Sequence, residues 1–114
     1  MELRHSQRSQ CSIIDIHGDL DLYNAFKLKD LTSRLAAEHV LGMVINLDDV
    51  KYIDSTGVGA VIYSYVQCKN AKISFFLTNV HGSVRRVIEL TKLIGFLPIV
   101  ETVDEALQKI GVGT

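Results

Sequence analysis

From Cys11 onward, short β-branched runs alternate with longer segments whose apolar residues recur every three or four positions. That alternation constrains the fold most. A strand that returns to its own sheet through a helix must run parallel to its predecessor, by a right-handed crossover. "CSIIDIHG", Cys11 to Gly18, sets Ile14 and Ile16 against Asp15 and His17 and reads as a strand ending at the turn Gly18-Asp19. Ahead of it, Leu3 to Ser9 reads as a short polar edge strand paired through a turn near Gln7 to Ser9. Tyr23 to Glu38 is helical: Ala25, Leu28, Leu31 and Leu35 share a face, Lys27, Asp30 and Arg34 turn away, and Gly42 is the stop. Met43 to Leu47 is a strand without alternation, as expected where helices cover both faces of a sheet, and Asp48-Asp49 closes it.

Val58, Val61, Ile62 and Tyr65 then share a helical face that ends near Asn70, with Tyr63 and Ser64 off that face. Lys72 to Thr78 is the next strand. Val84, Val87, Ile88 and Thr91, with Leu90 and Ile94 beside them, predict a helix that stops at Gly95 before Pro98. "LPIV" leaves room for a brief strand. Thr102 and Glu105 form a capping box for a last helix through Val103, Ala106, Leu107 and Ile110, and Gly111 to Thr114 reads as frayed. The predicted order is β, β, α, β, α, β, α, β, α, with a mostly parallel sheet. The loops Gly18–Asp21, Asp48–Ser55 and Asn79–Ser83 fall at the edge beyond the strand C-termini, where such sheets meet ligands and partners.

The 114 residues, 47% of them hydrophobic, suffice for one core and are short for two, so residues 1–114 read as a single domain. Twelve basic and thirteen acidic side chains give a formal charge of -1 with no massed sign, so the field that draws nucleic acid or anionic lipid is missing. No apolar run approaches the roughly 20 residues of a membrane span, and the N-terminus lacks a signal-peptide core. Cys11 and Cys68 match neither a metal spacing nor a disulfide framework. The expectation is a soluble cytoplasmic protein with reduced thiols.

Enzyme motifs do not assemble. Ser55 follows Ile53-Asp54 and lacks the G-x-S-x-G elbow, and Gly57-Val58-Gly59 lacks the lysine and glycine spacing of a phosphate loop. His5, His17, His39 and His81 have no zinc spacing with the acids, and His17 or His81 completes no serine triad. Asp54 after a strand suggests a phosphoaspartate site with Asp19 or Asp21 as magnesium ligands, but Thr78-Asn79 stands where that chemistry needs a lysine. The polar turn Asp54-Ser55-Thr56-Gly57 has two compatible readings. Asp54 or Ser55 caps the helix, with Gly57 allowing close packing. Ser55 is also suited to accept phosphate, because a helix N-terminus tolerates the added charge while Asp48, Asp49 and Asp54 oppose it. Phe26, on the Asp30 side of its helix, and Tyr63, on an uncharged face, suggest a docking surface around the serine. Arg85 and Arg86 read as solvated helix residues.

"GDLDLYNA" (Gly18–Ala25), "VINLDDVKYIDSTGVGAVI" (Val44–Ile62) and "FLTNVHGSVRRVIELTKLIGFLPI" (Phe76–Ile99) together resemble the bacterial anti-sigma factor antagonists, single STAS domains. The resemblance implies an α/β fold of STAS type. Its mixed four- to five-stranded sheet carries about four helices chiefly on one side, leaving the N-terminal strand open. It further implies a non-enzymatic switch without cofactor or metal. The unphosphorylated protein captures an anti-sigma factor that is also a serine kinase and frees a sigma factor; phosphorylation of Ser55 inactivates it, and a PP2C-type phosphatase restores it. Asp21, Phe26, Asp54, Thr56, Gly57 and Tyr63 are the expected partner-binding residues. The alternative within the resemblance is a scaffold subunit of a larger stress-signalling complex.

Overall fold

A computed structural model describes residues 1–111. Strands β1 (Glu2–Arg8), β2 (Cys11–Leu20), β3 (Gly42–Ile53), β4 (Ser74–Thr78) and β5 (Ile99–Val100) form one sheet in sequential order, and helices α1 (Ala25–Ala37), α2 (Ser55–Asn70), α3 (Gly82–Leu90) and α4 (Val103–Ile110) complete the predicted order. β1 is antiparallel to β2, and the later pairings are parallel. The sheet is therefore mixed. The β1–β2 hairpin turns at Ser9 and Gln10, both at positive φ (51° and 70°), the combination a two-residue type I′ turn requires.

Alternation sorts the strands onto two faces. Ile14, Ile16, Leu20, Met43, Ile45, Phe75 and Leu77 meet the apolar sides of α1, α2 and α3. Cys11, Ile13 and Val44 turn the other way, against Ala106 and Leu107 of α4. Three helices thus lie on one face and one on the other. Met43–Leu47 lacks alternation because both sides are covered there, whereas β1 is exposed along nearly its whole length.

Several predicted boundaries move. β2 does not end at Gly18-Asp19: Gly18 takes φ +97° inside the strand, which continues to Leu20. β3 does not close at Asp48-Asp49 but runs on to Ile53, because Val50 and Ile53 are buried in the core. α1 starts at Ala25, since Tyr23 and Asn24 belong to the preceding turn. Gly42 does not stop it. His39 at φ +57° reverses the chain, and Gly42 opens β3, where a Cβ would lie 2.7 Å from Ile110 Cδ1. α3 ends at Leu90, followed by Lys92 at φ +65°; Gly95 sits in a separate 3-10 turn, Ile94–Phe96, and Leu90 is exposed. β4 begins at Ser74 because Lys72, at φ +61°, belongs to the turn before it.

α4 follows its prediction in extent, but its capping box is shifted, since the Glu105 side chain takes the N–H before the cap and not that of Thr102 itself. Thr102 Oγ1 accepts the Glu105 N–H at 3.1 Å, and Glu105 Oε2 accepts the Glu101 N–H at 3.1 Å. Gly111 caps the helix at φ +97°, so its predicted fraying is not seen, and the rest of that segment, 112–114, lies outside the described residues. Ser64 is not off the core face of α2. It is fully buried, donating to the Ala60 carbonyl at 2.9 Å and to Thr32 Oγ1 of α1 at 3.0 Å. α2 packs on the sheet and on α1 together, so more of its circumference is buried than one stripe predicts.

Candidate functional site

β2 and β3 run side by side to Leu20 and Ile53, while the last residue of β3 paired with β4 is Asn46. At about 3.3 Å per residue, β3 extends roughly 20 Å beyond that pair. The β2–α1 turn and the N-terminus of α2 meet at the tip of this arm. They carry Asp21, Asp54, Ser55, Thr56 and Gly57 into one place.

Asp54 is the N-cap of α2. Its Oδ1 accepts the Gly57 N–H at 2.9 Å, and its Oδ2 accepts the Leu22 N–H at 3.0 Å, so one carboxylate ties the helix start to the turn after β2. Asp21 shapes that turn: its N–H donates to Asn24 Oδ1 at 2.9 Å and its Oδ1 accepts the Tyr23 N–H at 3.0 Å. Asn24 Nδ2 donates to the Asp19 carbonyl at 2.8 Å and closes the loop. Gly57 is buried, and a Cβ there would collide with the Leu20 carbonyl oxygen and lie 2.8 Å from Ile53 Cγ1. Only glycine lets α2 approach the end of β2 so closely.

Ser55 and Thr56, the first two residues of α2, are exposed, and neither hydroxyl has a hydrogen-bond partner among the described residues. No acidic side chain occupies the first turn. Phe26 is exposed as expected, and it lines an apolar groove of about 600 Å³ between α1 and α2 with Leu22, Thr56, Ala60, Tyr63 and Val66. Tyr63 stands half-buried in that groove: its hydroxyl hydrogen-bonds Ser33 Oγ at 2.8 Å, and Lys29 Nζ lies 5.0 Å from its ring centroid. A larger depression of about 730 Å³ lies between α3, β5 and α4, lined in part by His81, Arg85, Glu101 and Glu105, and includes none of these residues.

Leu22, Tyr23 and Tyr52 are exposed beside the same turn and were missed by sequence reasoning. The helical spacing read from Tyr23 onward absorbs Tyr23, whereas the chain places it in the turn before α1. The available signal was Tyr23, an aromatic outside the spacing set by Ala25, Leu28, Leu31 and Leu35; Leu22, three residues before Ala25, continues that spacing and gave none.

Asp48 and Asp49 do not face Ser55. Asp48 Oδ1 pairs with His81 Nε2 at 2.9 Å; Asp49 pairs with His17 Nδ1 at 2.7 Å and Lys51 Nζ at 3.0 Å. The His17 hydrogen bond, then the Lys51 hydrogen bond and charge, hold the Asp49 carboxyl below the ordinary carboxylate range. Along the extended strand Asp49 is about 15 Å from Asp54, beyond a Debye length at physiological salt. Asp54 alone of the three stands next to the serine. Arg85 and Arg86 are exposed, with Arg85 bridging to Glu89 at 3.5 Å. No helix among the described residues is long and apolar enough to cross a membrane.

The chain resembles an anti-sigma-B factor antagonist of Staphylococcus aureus, 24% identical over 80 residues that cover 70% of this chain and 74% of that protein. Its fold matches an anti-sigma factor antagonist from Mycobacterium paratuberculosis with a TM-score of 0.83 at 23% identity, covering 96% of this chain and 92% of that one. It also matches the Bacillus cell fate determinant SpoIIAA in its phosphorylated form, with a TM-score of 0.73 at 19% identity, over 96% and 99% of the two chains. The family described as the STAS domain matches residues 2–106, which include every element of the sheet and the whole tip around Ser55. The mixed sheet with three helices on one face and one on the other therefore has its family: this chain belongs to the STAS domains.

Proposed function

We propose that this chain is a cytoplasmic anti-sigma factor antagonist switched at Ser55. Unphosphorylated, it binds an anti-sigma factor that is also a serine kinase, through the tip of the β2–β3 arm and the α1–α2 groove, and so frees a sigma factor. The kinase transfers the γ-phosphoryl group of ATP to Ser55 Oγ: the new O–P bond forms, the bond to ADP breaks and the hydroxyl proton leaves. A PP2C-type phosphatase hydrolyses the phosphoserine with water and restores the binding form. Relatives named as antagonists support this reading. The observation that carries it is the position of Ser55, an exposed hydroxyl without a hydrogen-bond partner among the described residues, at the start of a capped helix beside an apolar groove.

The chemistry of release follows from the surroundings. Phosphate adds about 1.5 to 2 negative charges next to Asp54 and to a surface formed by Leu22, Phe26 and Tyr63. The positive end of the α2 dipole offsets the charge within this protein. A partner that had covered the groove must instead desolvate a dianion or leave. Asp21, Asp54 and Gly57 act by shaping the tip, while Phe26, Thr56 and Tyr63 contribute contact surface. This is binding chemistry rather than catalysis by this chain.

Incubation with the cognate kinase and ATP should add one phosphate, mapped by mass spectrometry to Ser55, and Ser55→Ala should accept none. Phosphate on Thr56, or phosphate that persists in Ser55→Ala, overturns the assignment. Ser55→Asp should weaken kinase binding at least about tenfold by calorimetry, a change of about 1.4 kcal/mol. Stable high-mass complexes indifferent to both substitutions would instead identify a scaffold subunit of a larger signalling assembly.

A further inference from the structure

β1 is an edge strand, and its free side has a determinate pattern. The two-residue turn makes Arg8–Cys11 a hydrogen-bonded pair, and alternation makes Ser6–Ile13, Arg4–Asp15 and Glu2–His17 hydrogen-bonded as well. The backbone N–H and C=O groups of Leu3, His5 and Gln7 therefore point away from β2. Edge strands are usually blunted by charged side chains, lysine above all, by proline or by a bulge. The charges of β1 are of both signs, Glu2 against Arg4 and Arg8, so they can pair with a second copy of the strand instead of repelling it. "ELRHSQR" contains neither lysine nor proline, and its pairing with β2 shows no register shift.

We propose that this edge pairs antiparallel with β1 of a second copy of the chain, about a two-fold axis through His5. In that register His5 faces His5 and Leu3 faces Gln7 of the second copy, and each such pair exchanges both of its outward hydrogen bonds. Glu2 faces Arg8 of the second copy on both sides of the axis, and Arg4 faces Ser6. Sliding one strand by two residues is disfavoured in either direction: one shift sets Arg4 against Arg4, the other sets Arg4 against Arg8. Charge thus selects the register that also gives the longest overlap.

The internal partners of these groups do not prevent the exchange. Arg4 pairs with Glu2 at 3.3 Å and Arg8 with Asp104 at 3.4 Å, and all four side chains are more than half exposed. Ion pairs this exposed hold little energy. Leu3, His5, Lys27, Asp30 and Arg34 line a shallow groove between β1 and α1. The joined edges would bring the two α1 helices together with charges of both signs, so no single-sign field opposes the approach. The result is one continuous sheet across two copies, with β1 no longer an open template.

Sedimentation velocity on the intact chain, from about 10 µM to about 1 mM, should show the mass rising from 12.7 kDa toward twice that value. The amides of Leu3, His5 and Gln7 should gain exchange protection as concentration rises. Glu2→Arg alone and Arg8→Glu alone should each weaken self-association about tenfold, since each sets like charges together twice. An equimolar mixture of the two variants should associate, because every charged pair in the mixed dimer is then opposite. A wild-type mass of 12.7 kDa at every concentration overturns the proposal. So does association that ignores both variants, or a mixture that associates no better than its components.

Discussion

Asp54 spends both carboxylate oxygens on backbone N–H groups, one in α2 and one in the turn after β2. Asp54→Ala should therefore lower stability by about 1–2 kcal/mol, the range for losing a cap with a second charged hydrogen bond, read from the urea midpoint. Gly57→Ala should cost about 1–3 kcal/mol by the same measurement, because the new methyl meets the Leu20 carbonyl, which is backbone and has no rotamer to adopt. Cys68 gives a pH signature. Burial pushes its thiol from 9.0 up to about 12, so the folded state holds the proton that the unfolded chain releases first. Its contribution to stability is fully present below pH 9.0 and is lost as pH rises toward about 12. Alkylation of Cys68 at pH 8 should follow global unfolding; fast labelling of the folded protein would contradict its burial. The cap, the tight glycine and the exposed serine were all legible in the order Asp54-Ser55-Thr56-Gly57. The role of Asp21 as the shaper of its own loop was not, because a turn stitched by Asn24 and Asp19 shows only once the chain has folded.

β3 shows why one element was read too short. Its pairing with β2 slips by one residue between Asp15 and His17 and again between Gly18 and Asp19, each time leaving an extra residue in β3. The buried positions consequently fall at Leu47, Val50 and Ile53, three apart, where an unbroken strand would show two. Period-two reading stops at Leu47 for that reason, and the charged pair that follows looks like a turn. Helix ends misled in a different way. The sequence reading assigned the stops to Gly42 and Gly95, whereas His39 and Lys92 adopt the left-handed conformation with a side chain present. Such residues cost roughly 1–2 kcal/mol of local strain. Lys92→Gly should relieve it and, after the entropy of glycine is charged against the gain, raise stability by about 0.5–1 kcal/mol in urea denaturation. A neutral or destabilising result would mean that Lys92 makes compensating contacts.

At the scale of the molecule, the order of elements and the mixed sheet were readable from periodicity and from the three motif segments. The uneven division of helices between faces was legible only through the resemblance, which sets them chiefly on one side; periodicity does not carry it, since an amphipathic helix advertises that it has a buried side without saying which face of a sheet it covers. α4 is the case in point: Leu107 sits with Ile13, Val44 and Val100 in a core separate from that of the other helices. Leu107→Ala should cost about 2–5 kcal/mol, with the loss in thermal or urea stability unaccompanied by rearrangement at Ser55. The phosphorylated and unphosphorylated proteins should share one fold. Exchange rates should differ only in the segments around 20–26 and 54–63; a spread of differences into α4 would show that the charge is felt through the sheet rather than at its tip.

The paired bulges in β3 also set a rule for insertions and deletions. Each extra residue inverts which side chains face the helices, and the second inversion restores the alignment that brings Asp54 to Leu22. Losing one bulge residue would turn Ile53 toward solvent and carry the cap of α2 to the wrong side of the sheet. Losing both would keep every downstream side chain in phase and merely shorten the arm. Length in this arm can therefore change by pairs, and a descendant of this chain that reached its partner from a shorter arm would lack both bulges together.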